Sequence, residues 1–296
     1  PDDDESPVRR HQMVTFHQSY SYEDFVEGIR PQTTEGGISY EVCDGVFKRW
    51  SNRARLDPYN RYALFIDEIN RGNVARIFGE LITLIEADKR AWWDDEGQRV
   101  EGVELNLTYS GERFGVPKNL DIFATMNTAG RSIALMGAAL RRRFRFREMM
   151  PKPQTIAGQR DGLIPDGEGG HLDLRSLLDT INLRLRYLLH RDQTFGQAYF
   201  TDVKDLDGLR DVLVHDIIPM LAEYFYDDWG QIRRVLGDEG VSAEYQVITM
   251  TMLDPARLFS DVANEPEKPD YQVKAPEAIP ADAIRKIYES TESAEE

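Results

Sequence analysis

The chain has 296 residues, enough for one large domain or two smaller ones with cores of their own. Hydrophobic residues make up 41% and charged residues 30%, which fits a soluble globular protein, and no apolar run approaches the roughly 20 residues of a bilayer-spanning helix. A net charge of −16 argues against nucleic-acid binding through the whole surface, and the single cysteine, Cys43, excludes an internal disulfide.

The N-terminus is acidic and has no hydrophobic signal region, so we expect a cytoplasmic protein without membrane contact. Along the chain, Met13–Phe16 predicts a short strand and Val42–Leu56 a helix. The run Tyr62–Ile66 is fully apolar, which is typical of a strand buried on both faces. A helix capped by Asn73 then places six apolar residues on one face. These are Val74, Ile77, Phe78, Leu81, Ile82 and Ile85.

Further along, Val103–Pro117 alternates and turns at Ser110–Gly111, which predicts a hairpin. A second apolar run, Asp121–Asn127, ends on a polar residue. The pattern of Ser132–Phe144 predicts a helix, and Phe144–Phe146 predicts a third core strand. Strands that alternate with helices indicate an α/β fold with a parallel sheet.

After residue 151 the pattern becomes helical. A linker rich in Gly and Pro leads to an amphipathic helix within Leu172–Asp192, and Leu209–Gly237 predicts further helices with Pro219 at a break or first turn. The end is rich in Pro, Glu and Lys, with one short helix at Ala281–Glu289. The predicted regions are an acidic flexible segment at 1–12, an α/β core at 13–150, a small helical domain at 151–256 and a tail at 257–296.

Two adjacent carboxylates, Asp67 and Glu68, follow the buried strand. They are expected at the carboxyl edge of the sheet, where open α/β folds bind ligands. In nucleotide hydrolases of the P-loop class, an Asp here holds Mg²⁺, usually through water, and the next Glu orients and deprotonates the attacking water. The alternative is a strand end that caps the next helix.

Asn127 ends the second apolar run, where a neighbouring strand would bring its amide beside the water or the terminal phosphate; the alternative is a turn residue. An arginine cluster follows, and the guanidinium fork suits phosphate oxygens at any working pH. Its alternatives are a solvated helix end, where cations favour the helix dipole, or a nucleic-acid patch. The cluster comprises Arg141, Arg142, Arg143, Arg145 and Arg147.

Taken in order, these stretches resemble the AAA+ module of the McrB family, the NTP-driven motor subunit of modification-dependent restriction systems. The most specific part is MNTA-x-RS followed by ALRRRF. The resemblance implies a P-loop AAA+ type α/β core followed by a small helical lid domain. The segments that resemble the family are Phe16–Pro31, Phe65–Glu86, Tyr109–Phe146 and Ile217–Trp229.

The resemblance also implies roles for single residues. Asp67 matches the Walker B acid on the metal side, Glu68 the catalytic glutamate, and Asn127 the sensor 1 residue. Arg142 and Arg143 match arginines that act in trans on the nucleotide of the next subunit, with Arg143 the first choice for the finger. Such an arginine stabilises charge on the transferring phosphoryl group.

Two positions depart from the family pattern. In the MNTA-x-RS loop, the resemblance implies that Arg131 couples neighbouring subunits to each other or to the site. Gly130 stands in this loop where the family has Asp. In the lid, Phe195–Phe200 reads FGQAYF where the family has IGHSYF. Gln197 replaces the His and Ala198 the Ser, which puts a phosphate-sensing role of Gln197 in doubt.

The cofactors implied by the resemblance are Mg²⁺ and a nucleotide, with ATP and GTP both open. The implied partners are further copies in a homo-oligomeric ring, expected as a hexamer, and a McrC-like nuclease subunit. DNA is implied only through the assembled complex.

A P-loop requires G-x-x-x-x-G-K-S/T, yet no Lys in this chain follows a Gly. We therefore expect a C-terminal part of a longer protein or a truncated product, without the first strand of its sheet, that alone binds NTP weakly or not at all. An alternative function is a non-catalytic assembly or regulatory fragment that keeps Arg131 and Arg143 as ring contacts. A third is a DNA-binding module that uses the arginine cluster.

Overall fold

In a computed structural model, the described residues are 9–34, 37–127, 138–158, 160–259 and 265–289. The chain divides into two compact units, Pro1–Arg147 and Glu148–Glu296. Within the described ranges, every helix is too short or too polar to cross a membrane.

The first unit combines a parallel sheet with hairpins and short helices. Its elements in chain order are β1 (His11–Thr15), α1 (Tyr22–Phe25), β2 (Glu27–Thr34), β3 (Gly37–Asp44), α2 (Val46–Leu56), β4 (Tyr62–Asp67), α3 (Val74–Phe78), β5 (Trp92–Trp93), β6 (Arg99–Glu101), β7 (Leu105–Asn106), β8 (Arg113–Phe114), β9 (Leu120–Ala124) and α4 (Ala138–Arg141).

The sheet has the order β1-β4-β9 and both pairings are parallel, which confirms the predicted α/β class. Successive residues of a strand point to opposite faces. Leu64 and Ile66 of β4 are buried on one face. On the other face Met13, Phe65 and Phe123 form one row across the three strands and are 55%, 41% and 52% exposed. The prediction that β4 is buried on both faces is therefore wrong.

Helix α2 is shorter than the helix predicted at Val42–Leu56, because β3 continues to Asp44 in its antiparallel pairing with β2. Gly45 separates strand from helix. A Cβ at Gly45 would lie 2.3 Å from the backbone carbon of Phe25, so only glycine permits this close approach. The aromatic ring of Phe25 stacks on Phe47 of α2, with ring centroids 5.0 Å apart.

Helix α3 begins as predicted, with the Asn73 side chain accepting a hydrogen bond from the Arg76 backbone N–H at 3.2 Å. The predicted continuation to Ile85 is wrong. Gly79 takes φ 52°, which ends the α-helix at Phe78, and a 3₁₀ helix follows at Gly79–Thr83. Ile85 is nevertheless buried.

The predicted hairpin within Val103–Pro117 is confirmed, because β7 pairs with β8 in antiparallel register. The predicted strand at Phe144–Phe146 is wrong. These three residues have no regular secondary structure and Phe146 is half exposed.

The second unit is mainly helical and has one core. Its elements are β10 (Leu163–Pro165), β11 (His171–Asp173), α5 (Leu174–Leu188), α6 (Leu206–Val212), α7 (Ile218–Phe225), α8 (Trp229–Leu236), β12 (Ile248–Leu253), α9 (Pro255–Leu258), β13 (Lys268–Val273) and α10 (Ala281–Glu289). Helix α5 presents an apolar stripe to this core, and Asp173 caps it by accepting two backbone N–H bonds.

Helices α6 and α7 are joined without a gap by a π-helical turn at Leu213–Ile217, and Pro219 lies directly after that turn, at the break that was predicted. In the region expected as a tail at 257–296, residues 268–289 are folded into the second unit. There β13 pairs with β12, and Ile284 and Ile287 of α10 are fully buried in the core of the second unit. A helix at Ala281–Glu289 was predicted, but its packing was not.

Candidate functional site

Asp67 and Glu68 lie at the carboxyl edge of the sheet, and Thr125 joins them. Thr125 follows β9 directly. Its hydroxyl donates a hydrogen bond to Asp67 Oδ1 and accepts one from the Glu68 backbone N–H at 3.2 Å. The Asp67 carbonyl accepts from the Phe16 N–H at 2.9 Å, which ties the same edge to the end of β1. Three adjacent strand ends therefore fix the carboxylate pair.

Glu68 has left-handed backbone angles, φ 53° and ψ 44°. A non-glycine residue takes this conformation at a cost, and such strain clusters at functional sites. Its Oε2 lies 3.2 Å from Arg71 Nε as an ion pair, but this buried oxygen accepts no hydrogen bond from the described residues. Glu68 thus keeps acceptor capacity for a water or another donor.

The alternative that the carboxylate pair caps the next helix does not match the contacts. Asn73 supplies the cap of α3, and Glu68 makes no side-chain capping bond at the 3₁₀ turn that follows it, Ile69–Arg71.

Asn127 is brought to the same edge by Asn70. The Asn70 Nδ2 donates to the Asn127 backbone carbonyl at 3.0 Å, and the Ile69 N–H donates to the Thr125 carbonyl at 3.0 Å. Asn70 is 5% exposed, and its Oδ1 accepts no hydrogen bond from the described residues. A buried amide oxygen without a donor is costly, so a ligand or water at this edge would stabilise it.

Sequence reasoning missed Thr125 and Asn70. Both had a usable signal, because Thr125 is a polar residue inside the second apolar run and Asn70 is a polar residue four positions after the first. What the sequence did not show is that the Thr125 hydroxyl bridges two residues 57 and 58 positions away.

Arg143 lies in contact with a different part of the first unit. Its Nη2 is 2.7 Å from Glu86 Oε1, and its backbone N–H donates to the Leu140 carbonyl at 2.9 Å. Arg142 is exposed beside it. An open cleft of about 650 Å³ is lined by Glu86, Ala87, Asp88, Arg142, Arg143, Phe144 and Arg145.

The two remaining predicted site residues are Arg131 and Gln197. Arg131 and its neighbour Gly130 lie outside the described residues. Gln197 is half-buried in the second unit, and its Oε1 accepts a hydrogen bond from the Lys152 backbone N–H at 3.0 Å. This oxygen holds the chain at the start of the second unit.

The donors at the sheet edge fit Mg²⁺ in one specific way. No group of three or more His, Cys, Asp or Glu side chains in the described ranges is placed to hold a metal. Asp67 and Thr125 offer hard oxygen atoms instead. Mg²⁺ is commonly held by one or two carboxylates together with waters and substrate phosphates, so this sparse set suits it.

A parallel sheet with an acidic pair at its carboxyl edge, followed by a helical second unit, defines an AAA+ module with a lid domain. The family model "AAA domain (dynein-related subfamily)" matches residues 8–144, and "McrB, alpha-helical lid domain" matches residues 173–233. The chain belongs to the McrB family of AAA+ proteins.

Two relatives agree with this family. The chain is 36% identical over 237 residues to the type IV methyl-directed restriction enzyme EcoKMcrB subunit of Escherichia coli K12. That match covers 76% of this chain and 49% of the relative. The chain is also 24% identical over 216 residues to the type II restriction enzyme BsuMI component YdiS of Bacillus subtilis 168. That match covers 64% of this chain and 63% of the relative. The chain thus spans half to under two-thirds of these relatives.

Proposed function

We propose that this chain is the nucleotide-hydrolysing module of a McrB-like restriction motor, which uses Mg²⁺ with ATP or GTP. The observation that carries the proposal is the Thr125 bridge, which fixes Asp67 and Glu68 at one sheet edge beside Asn127. Both relatives are named as parts of restriction enzymes, which supports the class of system.

Asp67 would hold Mg²⁺ by way of water, and the Thr125 hydroxyl keeps the Asp67 carboxylate in place. A bound Mg²⁺ neutralises charge on the nucleotide phosphates. Glu68 takes the proton of the attacking water, because its Oε2 is directed by the fixed backbone and accepts no other hydrogen bond among the described residues. Asn127 orients that water, with Asn70 holding its backbone.

Arg142 and Arg143 act in trans in this proposal. They reach the nucleotide of the next copy in a homo-oligomeric ring, expected as a hexamer, so that hydrolysis depends on assembly. The ring drives a McrC-like nuclease subunit, and DNA is engaged through the assembled complex.

Phosphate binding requires a cradle of backbone N–H groups with a lysine, and these residues do not encode G-x-x-x-x-G-K-S/T. We expect the chain by itself to bind NTP weakly and not to turn it over. The same observation favours a second candidate, a non-catalytic assembly or regulatory fragment that keeps the ring interface.

NTP turnover by the whole natural product of the gene separates the two candidates. Replacing Glu68→Gln is expected to lower kcat for ATP or GTP at least about 100-fold, because the proton acceptor is lost. The matched control is Glu96→Gln, the same substitution at an exposed loop residue, which should leave kcat unchanged. Absence of turnover in the wild type would favour the non-catalytic fragment, whereas a Glu68→Gln variant with the wild-type kcat would overturn the role of Glu68.

A further inference from the structure

Arg143 differs from its neighbours in the arginine cluster. Its side chain is 17% exposed, whereas the other four arginines between 141 and 147 are exposed. A solvated helix end would leave every guanidinium in water. Arg143 therefore has a distinct environment, and one contact in it is the ion pair with Glu86, 2.7 Å from Arg143 Nη2 to Glu86 Oε1.

Glu86 is itself held in a defined place. The two residues before it, Leu84 and Ile85, are 0% and 5% exposed and belong to the core of the first unit. The 3₁₀ turn Ala87–Lys89 follows at once. A carboxylate fixed by buried neighbours on one side and a tight turn on the other is a firm anchor for a long, flexible arginine.

The other acid of the cleft does not share this contact. Asp88 forms its ion pair with the adjacent Lys89, at 3.1 Å, and is more exposed, with 73% of its side chain accessible against 32% for Glu86. The cleft therefore contains two acidic residues of which one binds the arginine and the other provides a matched comparison.

We propose that Glu86 is a positioning residue for Arg143, whose carboxylate holds the guanidinium in the orientation that reaches the phosphates of the neighbouring copy. The proposal rests on the trans role of Arg143 proposed above. Glu86 acts through Arg143 and touches neither nucleotide nor water. The pair is partly buried, with 17% and 32% of the two side chains exposed, but glutamine keeps the size of Glu86 and an acceptor oxygen, so the effect of losing the charge is expected mainly in the rate.

The test compares Glu86→Gln, Glu86→Asp, Asp88→Asn and Arg143→Ala in the whole natural product of the gene, by NTP turnover. Loss of the charge-assisted bond should lower kcat about tenfold in Glu86→Gln, with KM and Tm unchanged. Glu86→Asp should recover part of that loss, and Asp88→Asn should match the wild type. Adding Glu86→Gln to Arg143→Ala should lower the rate no further, because the two residues act as one unit.

Mixed assemblies give a result that a purely structural role does not. Copies with Glu68→Gln cannot hydrolyse nucleotide but keep an intact Glu86–Arg143 pair. In a mixture they supply that arginine to Glu86→Gln copies, whose own Glu68 is intact. The turnover per Glu86→Gln copy should then rise several-fold toward the wild-type value, whereas a misfolded variant would not respond.

The possible results distinguish the proposed function, the trans role of Arg143 and the role of Glu86. Wild-type protein without Glu68-dependent turnover would overturn both the function and the role of Glu86. An active Arg143→Ala variant would overturn the trans arginine and with it this inference. An impaired Arg143→Ala beside a normal Glu86→Gln would overturn the inference alone, as would mixtures that fail to restore Glu86→Gln.

Discussion

The two units each bury a lysine against a carboxylate, but in opposite electrostatic settings. In the first unit, Lys48 Nζ lies 3.0 Å from Glu27, 2.8 Å from Asp44 and 2.7 Å from Glu112. Burial disfavours its charge, but the three carboxylates outweigh burial and raise the pKa of Lys48.

In the second unit, Lys286 Nζ lies 2.6 Å from Asp238 Oδ1. Here burial, together with the nearby cations Arg184 and Lys274, outweighs Asp238 and lowers the pKa of Lys286. Asp238 is fully buried and also accepts backbone N–H bonds from Val247 and Ile248, at 2.9 and 2.8 Å.

The two carboxylates differ in how their hydrogen-bond donors are distributed over the two oxygens. Glu27 is fully buried, and its second oxygen accepts from the Tyr109 and Ser110 N–H groups in the turn between β7 and β8. Lys48 therefore joins α2 to the segment that leads into β9 and the candidate site. At Glu27 both backbone bonds go to Oε1 and Oε2 accepts from Lys48, whereas at Asp238 each carboxylate oxygen has a backbone donor of its own. A buried ion pair is important where its loss would leave several like charges together.

The largest expected effect comes from Lys48→Met. Glu27 would stay buried without its cation, close to two other carboxylates, so the first unit should lose about 4 kcal/mol of unfolding free energy. Hydrogen exchange resolved by segment, together with urea unfolding, would locate the loss in the first unit.

A matched control is Lys118→Met. Lys118 pairs with Glu101, and the two side chains are 41% and 57% exposed. Exposed pairs are worth about 1 kcal/mol or less, so this variant should remain close to the wild type. Equal losses in the two variants would show that Glu27 does not depend on Lys48.

Much of this first unit follows from local sequence. The strands β4 and β9, the β7–β8 hairpin and the Asn73 cap were predicted because each depends on neighbours a few residues apart. The carboxylate pair at the sheet edge followed from the same rule, since strand ends mark that edge.

The features that could not be predicted from the sequence depend on residues far apart along the chain. The Lys48–Glu27 pair spans 21 positions, and the Glu86–Arg143 pair joins segments on either side of β9. The break at Gly79 was missed because the 3₁₀ turn keeps the same apolar residues buried, so the periodicity runs on through it. Similarly, an apolar run does not reveal which face of β4 is covered, and the exposed Phe65 shows the limit of that pattern.

The next effect is smaller. Lys286→Met should cost the second unit about 1 kcal/mol, because Asp238 loses the hydrogen bond from Lys286 Nζ but keeps two backbone donors. Its comparison variant is Asp238→Ala, which removes the acceptor of both backbone bonds and should cost more than Lys286→Met in the same urea titration. If Lys286→Met were as damaging as Lys48→Met, the contrast between the two units would fail.

The smallest effect is a difference in pH dependence, and its sign follows from the two pKa directions. The pKa of Lys48 lies above the ordinary 10.5, so its stabilisation is fully present below pH 10.5 and is lost as pH rises through the raised pKa. The pKa of Lys286 lies below 10.5, so folding disfavours its protonated form. That penalty is fully present below the lowered pKa and disappears as pH rises to 10.5.

Thermal unfolding from about pH 8 upward checks these opposite slopes. The stability of the wild type relative to Lys286→Met should rise with pH toward 10.5, whereas that relative to Lys48→Met should stay level and then fall above 10.5. Measuring each difference against its own variant cancels the titration of every other group. Parallel slopes for the two lysines would mean that three carboxylates around Lys48 stabilise its charge no better than Asp238 stabilises the charge of Lys286.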